Sequence, residues 1–142
     1  MLRYSKIKEI DRIIDANINR AKEGLRVCEE IVRFILNSRP LASETKKIRH
    51  EIEAIIKGLI RPGDLLKSRK VSLDVGRDIY VHELRRRGLG DIFFANIQRV
   101  KESVRVLEEF SKLINIDSAI KFKKLRYRIY EIEKKIAKRI VK

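Results

Sequence analysis

The chain has 142 residues, of which 39% are charged, with a formal net charge of +15. That length suits one domain with its own core, and a single Cys excludes an internal disulfide framework and fits a reducing cytoplasm. The N-terminus MLRYSKIKEI has no apolar signal core, and no window approaches the ~18–20 apolar residues of a membrane span.

The first helix is predicted from Ile7 or Asp11 to Asn37, ended by Ser38-Arg39-Pro40. Ile14, Ile18, Ala21, Leu25, Cys28, Val32 and Ile35 form its apolar stripe at amphipathic spacing. A second helix is expected from Ser43, as N-cap, to Ile60, where Arg61-Pro62-Gly63 stops it, and Asp64–Arg69 suits a short helix. Over residues 70–90 (KVSLDVGRDIYVHELRRRGLG) the helical period lapses, and Ser72, Asp74, Gly76 and Asp78 are turn formers. This reads as a long ordered connection across the bundle, with a helical turn at Val81–Arg87; connections of this length in compact domains are usually functional or disordered. Asp91 is a candidate cap for the next helix, which runs to Ile114, and Asp117 for the last, which runs to the C-terminus. No segment alternates as a strand does, so the expected fold is all-α, a bundle of about five to six helices.

The chain repeats itself. Residues 15–30 (DANINRAKEGLRVCEE) and 94–109 (FANIQRVKESVRVLEE) share ten of sixteen positions, seven of them polar or charged. Residues 46–55 (KKIRHEIEAI) align with 123–132 (KKLRYRIYEI), at an offset of 77 where the first pair has 79, so one connection is two residues shorter. The chain therefore divides into repeat 1 (about 7–60), a connection (61–90) and repeat 2 (about 91–142), one helical domain of two-helix units related by a pseudo-two-fold axis. Two units are too few for a solenoid, which needs at least about three.

A duplicated helix that only packed would keep its stripe and let its polar face drift. On a wheel of about 100° per residue, with Asn17 at zero, the stripe centres near 50°, Arg20 falls near 300° and Glu23 near 240°. Asn17, Arg20 and Glu23 thus line one edge of the stripe, with Gly24 filling the gap; Asn96, Arg99, Glu102 and Ser103 repeat the arrangement. Two readings are open. These residues either form interhelical hydrogen bonds that fix register, or they converge on an anionic ligand, with Arg matching phosphate oxygens, Asn donating and accepting, and Glu placing cations or acting as a base. Lys22, Arg26, Glu29 and Glu30 fall between about 120° and 220° and read as a solvated face, with Arg26–Glu30 and Arg105–Glu109 as i, i+4 pairs and a ligand role open for Arg26 and Arg105.

Other candidates carry less. His50 and Tyr127 hold equivalent repeat positions and so make poor metal ligands, His82 reads as surface, and Cys28 lies on the apolar stripe. Asp74-Val75-Gly76 is a short candidate for a phosphate or Mg²⁺ contact, Gly88-Leu89-Gly90 is an anion site or a hinge, and no Walker-type loop is present. Ten Lys or Arg against Glu131 and Glu133 in residues 121–142, with Arg85-Arg86-Arg87, are compatible with nucleic acid, an anionic membrane or phosphorylated small molecules. The cations are not interleaved with exposed aromatics and no nucleic-acid motif is present, which counts against nucleic acid. Richness in Lys, Arg, Glu and Ile resembles proteins of thermophiles.

DANINRAKEGLRVCEE, IRHEI, DVGR, ANIQRVKESVRVLEE and LRYRIYEIEK, spanning about Ile10 to Lys134, resemble a helical domain found alone or fused to the N-terminus of thiamine-phosphate synthase in some bacteria. That family is described as an ATP-dependent kinase turning hydroxymethylpyrimidine phosphate into its pyrophosphate. The resemblance implies ATP and Mg²⁺ as cofactors and thiamine-phosphate synthase as a candidate partner, in a standalone cytoplasmic form for which a homo-oligomer is open. It implies Arg20, Glu23, Arg99, Glu102 and Asp74 as catalytic candidates, with Asn17, Arg26, Arg49, Asn96, Arg105 and Arg126 holding substrate or phosphate. Glu23, Glu102 and Asp74 are candidates for Mg²⁺ or for activating the acceptor. Arg77 stands where the family's DVGT segment has a hydroxyl residue, which leaves position 77 without an assigned role. A non-catalytic regulatory domain and a basic RNA-binding protein are the alternatives.

Overall fold

A computed structural model of the chain describes residues 4–78 and 84–141. Helix α1 (Tyr4–Glu30) is central because it has neighbours on several sides. It packs on α4 (Leu89–Ser111), α2 (Arg39–Lys57) and α3 (Pro62–Ser68), while α5 (Ile116–Ile140) packs on both α4 and α2. Ile14, Ala21, Leu25, Cys28 and Val32 of α1 are fully buried against Ile48 and Ile52 of α2, Phe93, Val100, Val104 and Leu107 of α4, and Phe122, Leu125, Ile129 and Ile132 of α5 in one continuous core. The described residues hold five α-helices and no strand, as an all-α bundle requires.

The α1–α4 crossing is tightest at Gly24. A Cβ there would lie 2.7 Å from Val100 Cγ2 and 3.0 Å from the Asn96 carbonyl oxygen. The missing side chain thus serves helix–helix approach.

Several expected boundaries shift. After Glu30 the helix continues as a π-helical turn over Ile31–Ile35, with Leu36 N–H donating to Ile31 O at 3.0 Å. A π-turn widens the helical repeat and rotates the residues beyond it, so Ile35 leaves the stripe and is 57% exposed. Asn37 then takes the left-handed region (φ 50°), the position glycine usually fills at a helix end, and Ser38 N–H reaches back to Val32 O at 2.9 Å, one residue further than a Schellman bond spans. Ser38, rather than Ser43, caps α2 by accepting from Leu41 N–H at 3.4 Å. Pro40 does not end a helix but sits in the first turn of α2, where its missing N–H is no loss.

Gly88, rather than Asp91, precedes α4; Asp91 lies within the first turn and accepts from Arg87 N–H at 2.9 Å. Asn115, rather than Asp117, caps α5, its Oδ1 accepting from Asp117 N–H at 2.8 Å and Ser118 N–H at 3.3 Å. Between α3 and α4 the chain makes a 3₁₀ turn at Val71–Leu73, and Ser72, Asp74, Gly76 and Asp78 are exposed. Of the helical turn expected at Val81–Arg87, residues 81–83, His82 among them, lie outside the described residues; Leu84 is in a 3₁₀ conformation and residues 85–87 are not helical. No helix among the described residues is long and apolar enough to cross a membrane.

Candidate functional site

An open cleft of about 790 Å³ runs along α1, lined by Asn17, Arg20 and Glu23, by Lys70 and Asp74 beyond α3, and by Val106 of α4. The wheel put the first three on one edge of the stripe; folding adds Asp74, more than fifty residues away in sequence. The connection is held there by Arg69, whose Nε and Nη2 donate to the two oxygens of Asp15 at 2.8 and 2.9 Å. Such a two-pronged contact fixes orientation as well as distance. The hydrogen bond to Asp15, then its charge, holds the Arg69 guanidinium above its ordinary pKa. Asp74 closes its own turn by accepting from Gly76 N–H at 2.9 Å, leaving its second oxygen without a partner among the described residues.

Arg20 and Glu23 are exposed, and neither has a hydrogen bond or ion pair among the described residues. The same holds for Arg99 and Glu102. The four therefore form no register-fixing network with other described residues. Asn17 and Asn96 do bond, each donating through Nδ2 at 2.8 Å to a carbonyl of its own helix, Ile13 O and Ile92 O, and so cross no interface.

The described clefts divide the two sets. Glu102 and Arg105 line a smaller hollow of about 330 Å³ with Lys101 and Tyr130, and Arg99 lines neither. Arg26 and Arg49 line a third cleft of about 610 Å³ where α1 turns into α2.

The face expected to be solvated is partly buried. Glu29 and Glu108 are 3% and 5% exposed. Arg126 Nε donates to Glu108 Oε1 at 2.9 Å and its Nη1 to Tyr130 Oη at 2.9 Å; that bond to Glu108 leads the causes holding Arg126 above its ordinary pKa. Arg49 meets Glu29 at 3.4 Å, and Arg26 meets the same carboxylate at 2.7 Å. Arg26 thus pairs with Glu29 instead of the expected Glu30, while Arg105 does reach Glu109, at 3.2 Å. Lys22 donates to Glu53 of α2 at 2.6 Å, which lowers the Glu53 pKa. A single-arc wheel misses these contacts because α1 and α4 each have a second buried flank, against α2 and α5.

Cys28 is fully buried, and loss of solvent pushes its thiol up to about 12, so at neutral pH it is not a thiolate nucleophile. No group of three or more His, Cys, Asp or Glu among the described residues is placed to hold a metal ion.

A profile of the ThiD2 family matches residues 12–135. Three similar proteins are named thiamine-phosphate synthase. That of Nostoc sp. is 39% identical over 135 residues, 92% of this chain and 37% of the relative. That of Synechocystis sp. is 41% identical over 125 residues, 87% of this chain and 35% of the relative. That of Rhodopirellula baltica is 37% identical over 131 residues, 89% of this chain and 35% of the relative. The chain thus spans little more than a third of the relatives it matches. No solved structure matches it. Since the profile takes in both copies of the repeated helix and the connection that carries Asp74, the chain belongs to the ThiD2 family.

Proposed function

We propose that the chain is an ATP-dependent kinase of thiamine biosynthesis that converts hydroxymethylpyrimidine phosphate to its pyrophosphate. The observation that carries this reading is the cleft that gathers Asn17, Arg20, Glu23 and Asp74 while leaving Arg20 and Glu23 free of described structural partners. Charged side chains with no packing role that line a concave surface are available for a ligand. The cleft's volume of about 790 Å³ lies within the usual range for small-molecule sites.

In this reaction an oxygen of the substrate phosphate attacks the terminal phosphorus of ATP. The bond to the bridging oxygen breaks, and ADP leaves with that electron pair. A phosphate monoester is largely dianionic at neutral pH, its second pKa being about 6, so the attacking oxygen needs no general base. Positioning and charge stabilisation are then the main demands. Arg20 and Lys70 supply positive charge to phosphate oxygens, and Asn17 supplies an amide at the cleft wall. A phosphate-bound Mg²⁺ takes most of its ligands from water and phosphate and typically one or two from carboxylates. Glu23 and Asp74 fit that demand without a cluster of three; Mg²⁺ would neutralise charge on the phosphates.

The test is ADP formation by the purified protein with Mg-ATP and hydroxymethylpyrimidine phosphate. Arg20→Ala should lower turnover about a hundredfold or more while shifting stability by no more than about 0.5 kcal/mol. Absence of substrate-dependent ADP would sink the kinase reading, and retained binding of the pyrimidine phosphate would then indicate a non-catalytic binding domain. Arg99→Ala asks separately whether the second copy of the motif contributes, since Arg99 lies outside the cleft.

A further inference from the structure

The duplication supplies an internal comparison. Arg49 and Arg126 are equivalent residues facing equivalent buried carboxylates, Glu29 and Glu108. In the second half the arginine is closed off: Nε binds Glu108 at 2.9 Å and Nη1 binds Tyr130. In the first half Arg26 takes Glu29 at 2.7 Å, Arg49 is left at 3.4 Å, and its Nε is buried with no partner. An unsatisfied buried donor is costly and asks for an explanation.

Tyr130 has Glu53 as its counterpart in the first half, where Lys22 holds it, and the first connection is two residues longer. From Glu30 to the cap Ser38 is eight positions, and from Glu109 to the cap Asn115 is six. The longer route takes the π-turn and the left-handed Asn37. The shorter one closes with tight i→i+3 turns from Lys112 to Ile114. The longer elbow encloses the cleft of about 610 Å³ onto which Arg49 opens.

That cleft is lined by five cations, Arg26, Arg33, Arg39, Lys46 and Arg49, against the one carboxylate of Glu29. Glu29 is already committed to Arg26 and Arg49. Arg39 and Lys46 have no hydrogen-bond or ion-pair partner among the described residues. The N-terminus of α2 opens beside them, and its dipole adds to the same sign of field. No aromatic side chain lines the cleft, so bases would have nothing to stack on.

We infer that the α1–α2 elbow is a binding site for a small polyphosphate anion, a diphosphate or triphosphate group, separate from the Asn17/Arg20/Glu23/Asp74 cleft. Such an anion carries several charges on closely spaced oxygens, and forked guanidinium groups satisfy them in pairs. It pairs with the guanidinium groups that line the cleft and neutralises Arg39 and Lys46. The site stands whether or not the chain is a kinase.

The probe is inorganic pyrophosphate, titrated calorimetrically into the full chain at about 0.15 M salt, near physiological screening, with ATP as a second arm. Saturable binding of one pyrophosphate is expected. Arg39→Gln/Lys46→Gln should weaken it about tenfold or more, given that each charge-assisted contact outweighs a neutral one. Lys123→Gln, the counterpart of Lys46 in the second half, should leave it unchanged. Neither variant touches a buried group, so melting temperature reports that the fold is intact. If ATP binding falls in parallel with pyrophosphate, the ligand is a nucleotide; if pyrophosphate alone responds, it is a pyrophosphate ester or the free anion. Equal binding by wild type and the Arg39→Gln/Lys46→Gln variant, or equal loss in Lys123→Gln, would overturn the assignment.

Discussion

At the scale of single residues, the duplicated polar identities divide by partner. Glu108 and Arg126 are a buried pair with three well-placed polar groups, since Tyr130 completes the arginine. Removing one member of such a pair strands the other charge, which costs about 3–5 kcal/mol, whereas replacing the ion pair by apolar residues of similar size is milder. Glu108→Ala should therefore destabilise the bundle by about 3 kcal/mol, and Arg126→Met with Glu108→Leu together should cost much less. Urea unfolding of the two variants checks this, and equal losses would mean that packing, not the stranded charge, sets the cost. Arg20, Glu23, Arg99 and Glu102 are the opposite case, because nothing described holds them. That leaves Arg20 and Glu23 available for the ligand role proposed above. The wheel separated these from the stripe correctly because only azimuth was needed. It placed Glu29 and Glu108 in solvent because azimuth says nothing of a second neighbour.

At the scale of elements, apolar spacing was enough to foresee α1, α2, α4 and α5 and the absence of strands among the described residues. Their ends depend on caps, and several polar residues compete for each cap. Asn115 accepts from two N–H groups where the expected Asp117 sits two residues inside the helix. A good N-cap is worth about 0.5–2 kcal/mol. Asn115→Ala should cost about 1 kcal/mol and Asp117→Ala less than half of that. Thermal melts of the two single variants test the order, and the reverse order would restore Asp117 as the cap. Ser38 makes only one long bond, 3.4 Å, so Ser38→Ala should be the milder cap loss. The elbow cleft was legible in one respect alone, the drop in repeat offset from 79 to 77. That number locates an insertion but not its shape. A π-turn and a left-handed Asn depend on how α2 must dock, which no local pattern encodes. Asp74 joined the Arg20 cleft through the Arg69–Asp15 clamp, a contact 54 residues apart that helical periodicity cannot reveal.

At the scale of the whole molecule, the question is what 35 cations against 20 anions do to stability. Most ion pairs here are exposed, such as Lys112–Glu109, Lys135–Glu44 and Arg128–Glu51. Each contributes little and is screened by salt. The two least exposed pairs, Glu29–Arg49 and Glu108–Arg126, are screened much less. Against the exposed pairs stands the self-repulsion of a +15 chain, concentrated where α5 carries cations such as Lys121, Lys124, Lys134 and Lys138 without described partners. Repulsion among many surface charges acts over distances near the Debye length, which falls from about 20–30 Å at very low salt to about 8 Å at 0.15 M. Screening therefore removes more repulsion than attraction. The melting temperature at pH 7 should rise as sodium chloride goes from about 0.02 to about 0.3 M, a range that spans that fall in Debye length. A polyphosphate at the elbow should raise it further at fixed ionic strength, by mass action on the folded state. A melting temperature that falls with sodium chloride would mean that the surface pairs outweigh the net charge. A rise with sodium chloride but none with pyrophosphate would leave general screening as the only effect of anions on this fold.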